Sequence, residues 1–456
     1  ANIDEITTEA IITELGRVEG LLVSSRRAVM PYQQSEAAPA AIAETLGVEY
    51  VVAGSVLPSK DSVHVTASLT ETTTGRTLWT QRFANENRKV LRVHEAVVQA
   101  VAEGMGVRIS AETEARLNQV GAADPRAYRH FQRGVVLREE EGVNQRLMWS
   151  RAAEQFRQAV QIDSSFALAW AWLAKIQAIR RGVFSAEDLA PPPRQALNRA
   201  LALDAGLAEA HVARALLLAY ERDWKGAESA FQQAIARSAT NREARYEYGW
   251  LLMRVGKTDA AILQLQRALS LDSTATHVQA GLVMAYLFDR QYDQAIRQAQ
   301  HILRTAPGNQ NILELMAHAY RWAGQYEKAE AAFREAARFQ RRDYEGSYQE
   351  VLLLATQGRR EDVLARIEDW RAGPGKMHTS PTTRAERIRR ADGLIGIGKL
   401  YAVLGEPGPA LDALEEAYRT WPRHINLTYL KVAPNYDALR GEPRFQALLR
   451  KLRLDG

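Results

Sequence analysis

Residues 312–338 read ILELMAHAYRWAGQYEKAEAAFREAAR, and the same arrangement precedes them three times: HVQAGLVMAYLFDRQYDQAIRQAQHIL at 277–303, ARYEYGWLLMRVGKTDAAILQLQRALS at 244–270 and AHVARALLLAYERDWKGAESAFQQAIA at 210–236. Each stretch holds two apolar patterns of helical period joined by a short turn. Setting the small residue of each first helix in register places repeat starts at Ala208, Arg242, Thr276, Gln310 and Tyr344, a constant step of 34 residues. A fixed period of that size predicts stacked helical hairpins, because one hairpin cannot bury its apolar face alone and a neighbour can cover it.

The residue types inside the period have a packing logic. In the repeat from Gln310, Ala317 and Tyr320 stand in the first helix, Gly324 ends it, and Ala329, Phe333 and Ala336 pack the second. Ala or Gly lets paired backbones approach closely, while Phe333 or Phe231 fills the wedge between successive repeats. Gly256, Gly324 and Gly358 stand where a helix end wants a left-handed residue. The pattern resembles the tetratricopeptide repeat family, which implies an α-solenoid and a protein-binding role.

The flanking repeats are looser. Ala152, Phe156 and Ala159 mark the second helix of a first repeat, and Trp170, Leu173 and Ala174 open the next. An insertion carrying Pro191, Pro192 and Pro193 then interrupts helix. A second interruption, RAGPGKMHTSPTT at 371–383, precedes a last repeat marked by Gly398, Tyr401, Gly405, Ala410, Leu414, Ala417 and Pro422. The expected architecture is mainly α, with about eight hairpins over 125–429 and a capping segment at 430–456. A short helix at 444–452 would cover the last apolar face with Arg and Lys outward.

Residues 1–110 read as a small α/β domain, joined to the solenoid by a linker at 111–124. Helix is expected at 4–16, strand near 20–25, helix near 37–47, then three strands and a helix near 88–107. EYVVAGSVLPS, SVHVTASLTETTTG and TLWTQRFA alternate apolar with polar residues and are separated by turn residues at 59–61 and 74–75. TTEAIITEL, AIAETLGVEYVVAGSV, VTASLTETTTGRTLWTQRF and VLRVHEAVVQAVAEGM fall in the order of the TolB-amino-terminal-like family, which this domain resembles. The tail YLKVAPNYDALRGEPRFQALLRKL is similar to the ending of bacterial signalling proteins in which a winged-helix, kinase or cyclase domain precedes such a domain and tetratricopeptide repeats. That resemblance implies a non-catalytic region on the outer side of a membrane, periplasmic or extracytoplasmic, with a cytoplasmic placement as the alternative. The family pattern opens with a strand ending in Pro-Phe, and this sequence starts after it. An opening strand would lie between those near 20–25 and 49–57, so the slot is expected to take an upstream strand or a β-strand donor.

Composition narrows the chemistry. The 456 residues are 46% hydrophobic and 25% charged, as in ordinary soluble proteins. No run approaches the roughly 18 to 20 apolar residues of a membrane-spanning helix, and ANIDEITTEAIITEL is acidic and helical rather than signal-like. There is no cysteine, which removes disulfides, thiolate metal sites and a cysteine nucleophile. The net charge of +5 belongs to the solenoid, because residues 1–110 hold 10 Lys/Arg against 13 Asp/Glu. Runs such as RFQRR at 338–342 and RAERIRR at 384–390 lack the interleaved aromatics of a nucleic-acid platform.

No catalytic, cofactor or metal residues are assigned. GLIGIGKL at 393–400 imitates a phosphate-binding loop, but Leu400 stands where Ser or Thr should hold magnesium, and no buried strand precedes it. The nine histidines form no His-x-x-x-His pair, and His94 beside Glu95 lacks the second histidine of a metalloprotease helix. Gly54-Ser55 lies in a strand pattern rather than at a nucleophile elbow.

What remains is the face lined by the second, fifth, ninth and twelfth residues of each first helix. Tyr246, Trp250, Met253, Met284, Leu287, His318, Arg321 and Tyr348 fall there and are the candidate peptide-binding groove. Aromatics, Met and Arg anchor partner segments by burying large areas or making forked hydrogen bonds. The competing reading is core packing, because apolar helical stripes are usually core. The expected function is non-enzymatic binding of a protein or peptide segment within a bacterial signalling-type protein. The alternative is a free-standing scaffold subunit of a larger assembly.

Overall fold

Alternating Val and Thr at 50–86 forms three strands: β1 (Tyr50–Pro58), β2 (Ser62–Glu71) and β3 (Arg76–Glu86), antiparallel in that order. The computed structural model describes residues 8, 11–12, 15, 18, 21, 23–24, 26–33, 35, 37–58, 62–86, 90–107, 124–139, 145–183, 191–239, 241–272, 275–340, 343–372 and 383–455. The turn at 59–61, the linker at 111–123, residues 184–190 and residues 373–382 of the second interruption lie outside these. The chain divides into two compact units, one of residues 1–247 and 267–275, the other of 248–266 and 276–456.

In the first unit, α1 (Pro39–Leu46) precedes the sheet and α2 (Val90–Gly104) follows it. Val65, Ala67 and Leu69 on one face of β2 pack with Val97, Val98, Val101 and Ala102 of α2. The described residues within 4–16 are helical. The strand expected near 20–25 is not formed among the described residues there. Leu21, Val23 and Ser24 have no regular structure, and Arg26–Val29 is a helical turn. Leu21 instead joins Leu15 and Val18 in the core with α2 and β2. Leu21 buries its side chain without a backbone ladder, and none of the described residues among 20–25 pairs with 49–57. Among the described residues, β2 is the one strand hydrogen-bonded to β1.

The same unit carries α3 (Pro125–Glu139) with α4 (Gln145–Ile162), α5 (Ala167–Val183) with α6 (Pro193–Leu203), and α7 (Ala208–Tyr220) with α8 (Trp224–Arg237). Phe131 lies 5.1 Å from Phe166 and 5.7 Å from Phe156, forming an aromatic centre among them. Pro193 opens α6 in the first turn, where its missing N–H leaves no helical bond unmade.

The division between units passes through α9 (Arg242–Val255) and α10 (Thr258–Leu271). The second unit continues with α11 (Thr276–Phe288), α12 (Tyr292–Thr305), α13 (Gln310–Trp322), α14 (Tyr326–Gln340), α15 (Tyr348–Thr356), α16 (Arg360–Ala372), α17 (Arg384–Val403) and α18 (Pro407–Thr420). Among the described residues, helices α3 to α18 follow one another as eight helix pairs. Four repeat starts coincide with helix starts. The fifth does not: α15 begins after Ser347, whose hydroxyl accepts from the Glu350 N–H, while Tyr344 is buried ahead of it.

The small-residue positions are close approaches. A Cβ at Gly249 would stand 2.8 Å from Leu265 Cγ, and one at Gly398 would stand 2.9 Å from Leu414 Cγ. GLIGIGKL at 393–400 is therefore continuous helix inside α17, with its glycine used for packing.

Candidate interaction groove

After α18 the chain turns back through two 3-10 segments, Ile425–Tyr429 and Pro434–Leu439, and ends on α19 (Pro443–Lys451). Its contacts trace a path across the first helices of the second unit. The Tyr429 ring lies 6.4 Å from Trp250 of α9, edge-on, and 5.6 Å from Phe288 at the end of α11. The Arg254 guanidinium sits 5.7 Å from the same ring. Farther along, Asn435 Oδ1 accepts from Arg321 Nη2 of α13 at 2.6 Å, and Asp437 pairs with Arg290 at 2.7 Å. The chain then returns to α18, where Arg444 pairs with Asp412 at 2.8 Å and Glu415 at 2.9 Å.

Leu427, Leu430, Tyr436, Leu439 and Phe445 of this tail are almost fully buried. At about 1.5 to 3 kcal/mol for each large apolar side chain, their burial is on the order of 10 kcal/mol. Such a tail is part of the fold. The tail from Ile425 therefore does more than cover the end of the last hairpin, because Tyr429, Asn435 and Asp437 reach Trp250, Arg321 and Arg290.

The sequence-predicted site residues are distributed as follows. Trp250 and Met284 are half-buried, while Met253 and Leu287 are completely buried, as core side chains are. His318 lies edge-on to Phe333 at 5.1 Å and stacks on Trp322 at 5.6 Å. Arg321 is only 2% exposed and lies 4.9 Å from the Trp322 ring. The Tyr348 hydroxyl donates to the Gly396 carbonyl at 3.2 Å. The tail touches two of these residues, Trp250 through Tyr429 and Arg321 through Asn435, while His318 packs on Trp322 and Phe333 and Tyr348 reaches α17. Tyr246 belongs to the first unit, where it is half-buried on α9.

The electrostatics of this face are unusual. Arg321 Nη1 donates to Thr356 Oγ1 at 2.9 Å and Nη2 donates to Asn435, yet its buried Nε–H has no acceptor. Burial lowers the guanidinium to about 10. Lys399 of α17, 5.5 Å from the Tyr348 ring, is pulled down to about 8 by burial and then by the Arg321 charge. Burial, Arg321 and Lys399 hold His318 well below the usual histidine range. Among the described residues neither Arg321 nor Lys399 has a carboxylate within ion-pair distance. The acid that favours the charged form of Lys399 is Asp392, which is exposed and accepts from Asn426 Nδ2 at 2.9 Å.

Lys399 was missed by the sequence reading although the signal was present. Gly398 holds the eighth position of its first helix, so Lys399 holds the ninth, the position of Trp250, Met284 and His318. In the first unit Lys175, likewise one residue after a small residue, Ala174, stands beside Arg138. There the charges are matched. Arg138 pairs with Glu243, and the Lys175 ammonium lies 3.8 Å from Glu243 and 3.6 Å over the Trp172 ring. Burial still lowers Lys175 to about 8.

Among the described residues no group of three or more histidine or acidic side chains is placed to hold a metal ion. A concavity of about 420 Å³ lined by Tyr286, Gln294, Arg297, Gln300, His301 and Arg304 is open and polar, unlike the enclosed apolar clefts that hold small substrates.

Residues 218–285 and 286–348 match the tetratricopeptide repeat family. A stretch of 171 residues is 29% identical to putative adenylate cyclase 3 of Rhizobium meliloti (strain 1021), covering 37% of this chain and 28% of that protein. The chain therefore spans little more than a quarter of the length of that relative. Among solved structures, YrrB, described as a TPR protein with an unusual peptide-binding site, is 21% identical with a TM-score of 0.31, over 41% of this chain and 93% of that one. PilF of Pseudomonas aeruginosa is 17% identical with a TM-score of 0.33, over 58% and 95%. Residues 218–348 carry tetratricopeptide repeats, in a mainly α solenoid with a small three-stranded antiparallel sheet at its amino-terminal end.

Proposed function

We propose that this chain is a non-enzymatic interaction region of a bacterial signalling protein, and that its second unit binds a protein segment along the face shared by α9 to α17 and the tail. One observation carries the reading: Trp250 and Met284 stay half-buried on the first-helix face that the tail touches at Trp250. Half-buried aromatic and Met side chains on a rigid helical support supply contact area at little ordering cost. The signalling context is supported by the similarity to the putative adenylate cyclase. The extracytoplasmic placement follows the resemblance of residues 1–110 to the TolB-amino-terminal-like family, and a reporter fusion active only outside the cytoplasm tests it. The edge of β1 away from β2, to which no described strand pairs, supports a second contact in which a partner strand adds to the sheet.

Affinity purification with the whole chain, in parallel with Met284→Arg, tests the groove. The wild-type chain is expected to enrich a partner that Met284→Arg loses while keeping its thermal midpoint. Equal capture by the variant would place binding elsewhere.

A further inference from the structure

The two units treat their buried cations differently. In the first, Arg138 and Lys175 share the carboxylate of Glu243. In the second, neither Arg321 nor Lys399 is in an ion pair among the described residues, and the acid nearest in effect to Lys399, Asp392, is exposed and bonded to Asn426. A buried cation without a counter-charge is costly, and an unmade hydrogen bond at the same group adds to that cost. The Arg321 guanidinium meets only neutral oxygens, those of Thr356 and Asn435, and its Nε–H meets none.

We propose that Arg321 and Lys399 form a carboxylate-binding subsite in the groove, and that the Asn435 carboxamide of the tail stands where an Asp or Glu side chain of the bound protein segment sits. This rests on the groove reading above and names the chemistry of its ligand. The Asn435 Oδ1, 2.6 Å from Arg321 Nη2, is the neutral isostere of one carboxylate oxygen. Replacing it with a charged oxygen strengthens the bond roughly twofold. Asn435 is itself only partly buried. Admitting the ligand therefore takes a turn of that one side chain, while Leu430, Tyr436 and Leu439 on either side stay buried. Displacing the whole tail would instead expose Leu427, Leu430, Tyr436, Leu439 and Phe445 together. Lys399 is the more open of the two cations and marks the mouth of the subsite. Arg290 supports the arrangement by pairing with Asp437 two residues along the tail.

The test places the carboxylate inside the chain. In the full-length protein, Asn435→Asp is expected to raise the thermal midpoint at pH 7, and this gain should shrink in Lys399→Met and at high salt. An unchanged or lowered midpoint for Asn435→Asp would overturn the proposal, as would a gain undiminished in Lys399→Met. Titration of the wild-type chain with succinate and with inorganic phosphate supplies the second arm. Saturable succinate binding lost in both Lys399→Met and Asn435→Asp is the expected result. No succinate binding, or phosphate bound equally well, would overturn the assignment to carboxylates. Neither arm needs the natural partner, so the subsite can fail while the partner capture succeeds, and the reverse.

Discussion

At the residue scale, five turns between paired helices repeat at a step of 34 residues, and all five hold a left-handed residue: Arg222, Gly256, Arg290, Gly324 and Gly358, with φ between 60° and 85°. Three were legible as glycines. The two arginines were not, because the left-handed region costs an L-residue about 1 to 2 kcal/mol and composition gives no reason to expect one there. Arg222→Gly is expected to stabilise the protein by roughly 0.5 to 1 kcal/mol, the relief of strain being partly offset by the entropy of glycine. Denaturant midpoints measure it, and a loss of stability would show that the Arg222 side chain contributes more than the strain costs. Arg290 is the instructive contrast, since its guanidinium reaches Asp437 of the tail and glycine there would also remove that pair. Buried bases at this scale set the pH response. Lys175 has a folded pKa of about 8 against an ordinary 10.5, so between pH 8 and 10 the unfolded state binds more protons and stability rises with pH. The full difference is roughly 3 kcal/mol, and Lys175→Met should flatten that slope. For His318, held below 6.5, the unfolded chain takes up a proton first as pH falls, so stability present above 6.5 is lost below it.

At the element scale, the hairpins were readable because each position in the period has one physical duty, such as Gly249 against Leu265 and Gly398 against Leu414. Phe333, 2% exposed and edge-on to His318, is such a position, and Phe333→Ala should cost about 3 to 5 kcal/mol. The groove was legible only in part. Counting ninths and twelfths reached Trp250, His318 and Arg321, and one further repeat would have reached Lys399. Nothing in the pattern of residues 424–440 signalled their return to α9, because 3-10 turns carry no long period and the decisive contacts join residues over a hundred positions apart, such as Arg321 with Asn435. The strand near 20–25 failed for a related reason, since Leu21 and Val23 are as well buried in a loop as in a ladder. Deleting residues 425–456 should therefore lower hydrogen-exchange protection in 391–422 and also in 248–257 and 286–290. Protection lost at 391–422 alone would restrict the tail to capping the last hairpin.

At the scale of the whole molecule, the second unit has the chain's own tail built into its helical face, to which it supplies Tyr429, Asn435 and Asp437. The proposed binding face therefore includes the tail as well as the repeats, and Arg321 and Lys399, in no ion pair among the described residues, are the distinctive charges of that groove. The absence of cysteine makes the path of the tail directly measurable. In Arg290→Cys/Asp437→Cys, paired with each single variant, a short bismaleimide should join the two thiols within one chain, giving a cross-linked peptide that spans residues 290 and 437 by mass spectrometry. Efficient cross-linking at low protein concentration is the expected result. Singly modified cysteines with no intramolecular link, in a protein that retains its wild-type helicity, would show that the tail does not cross the groove.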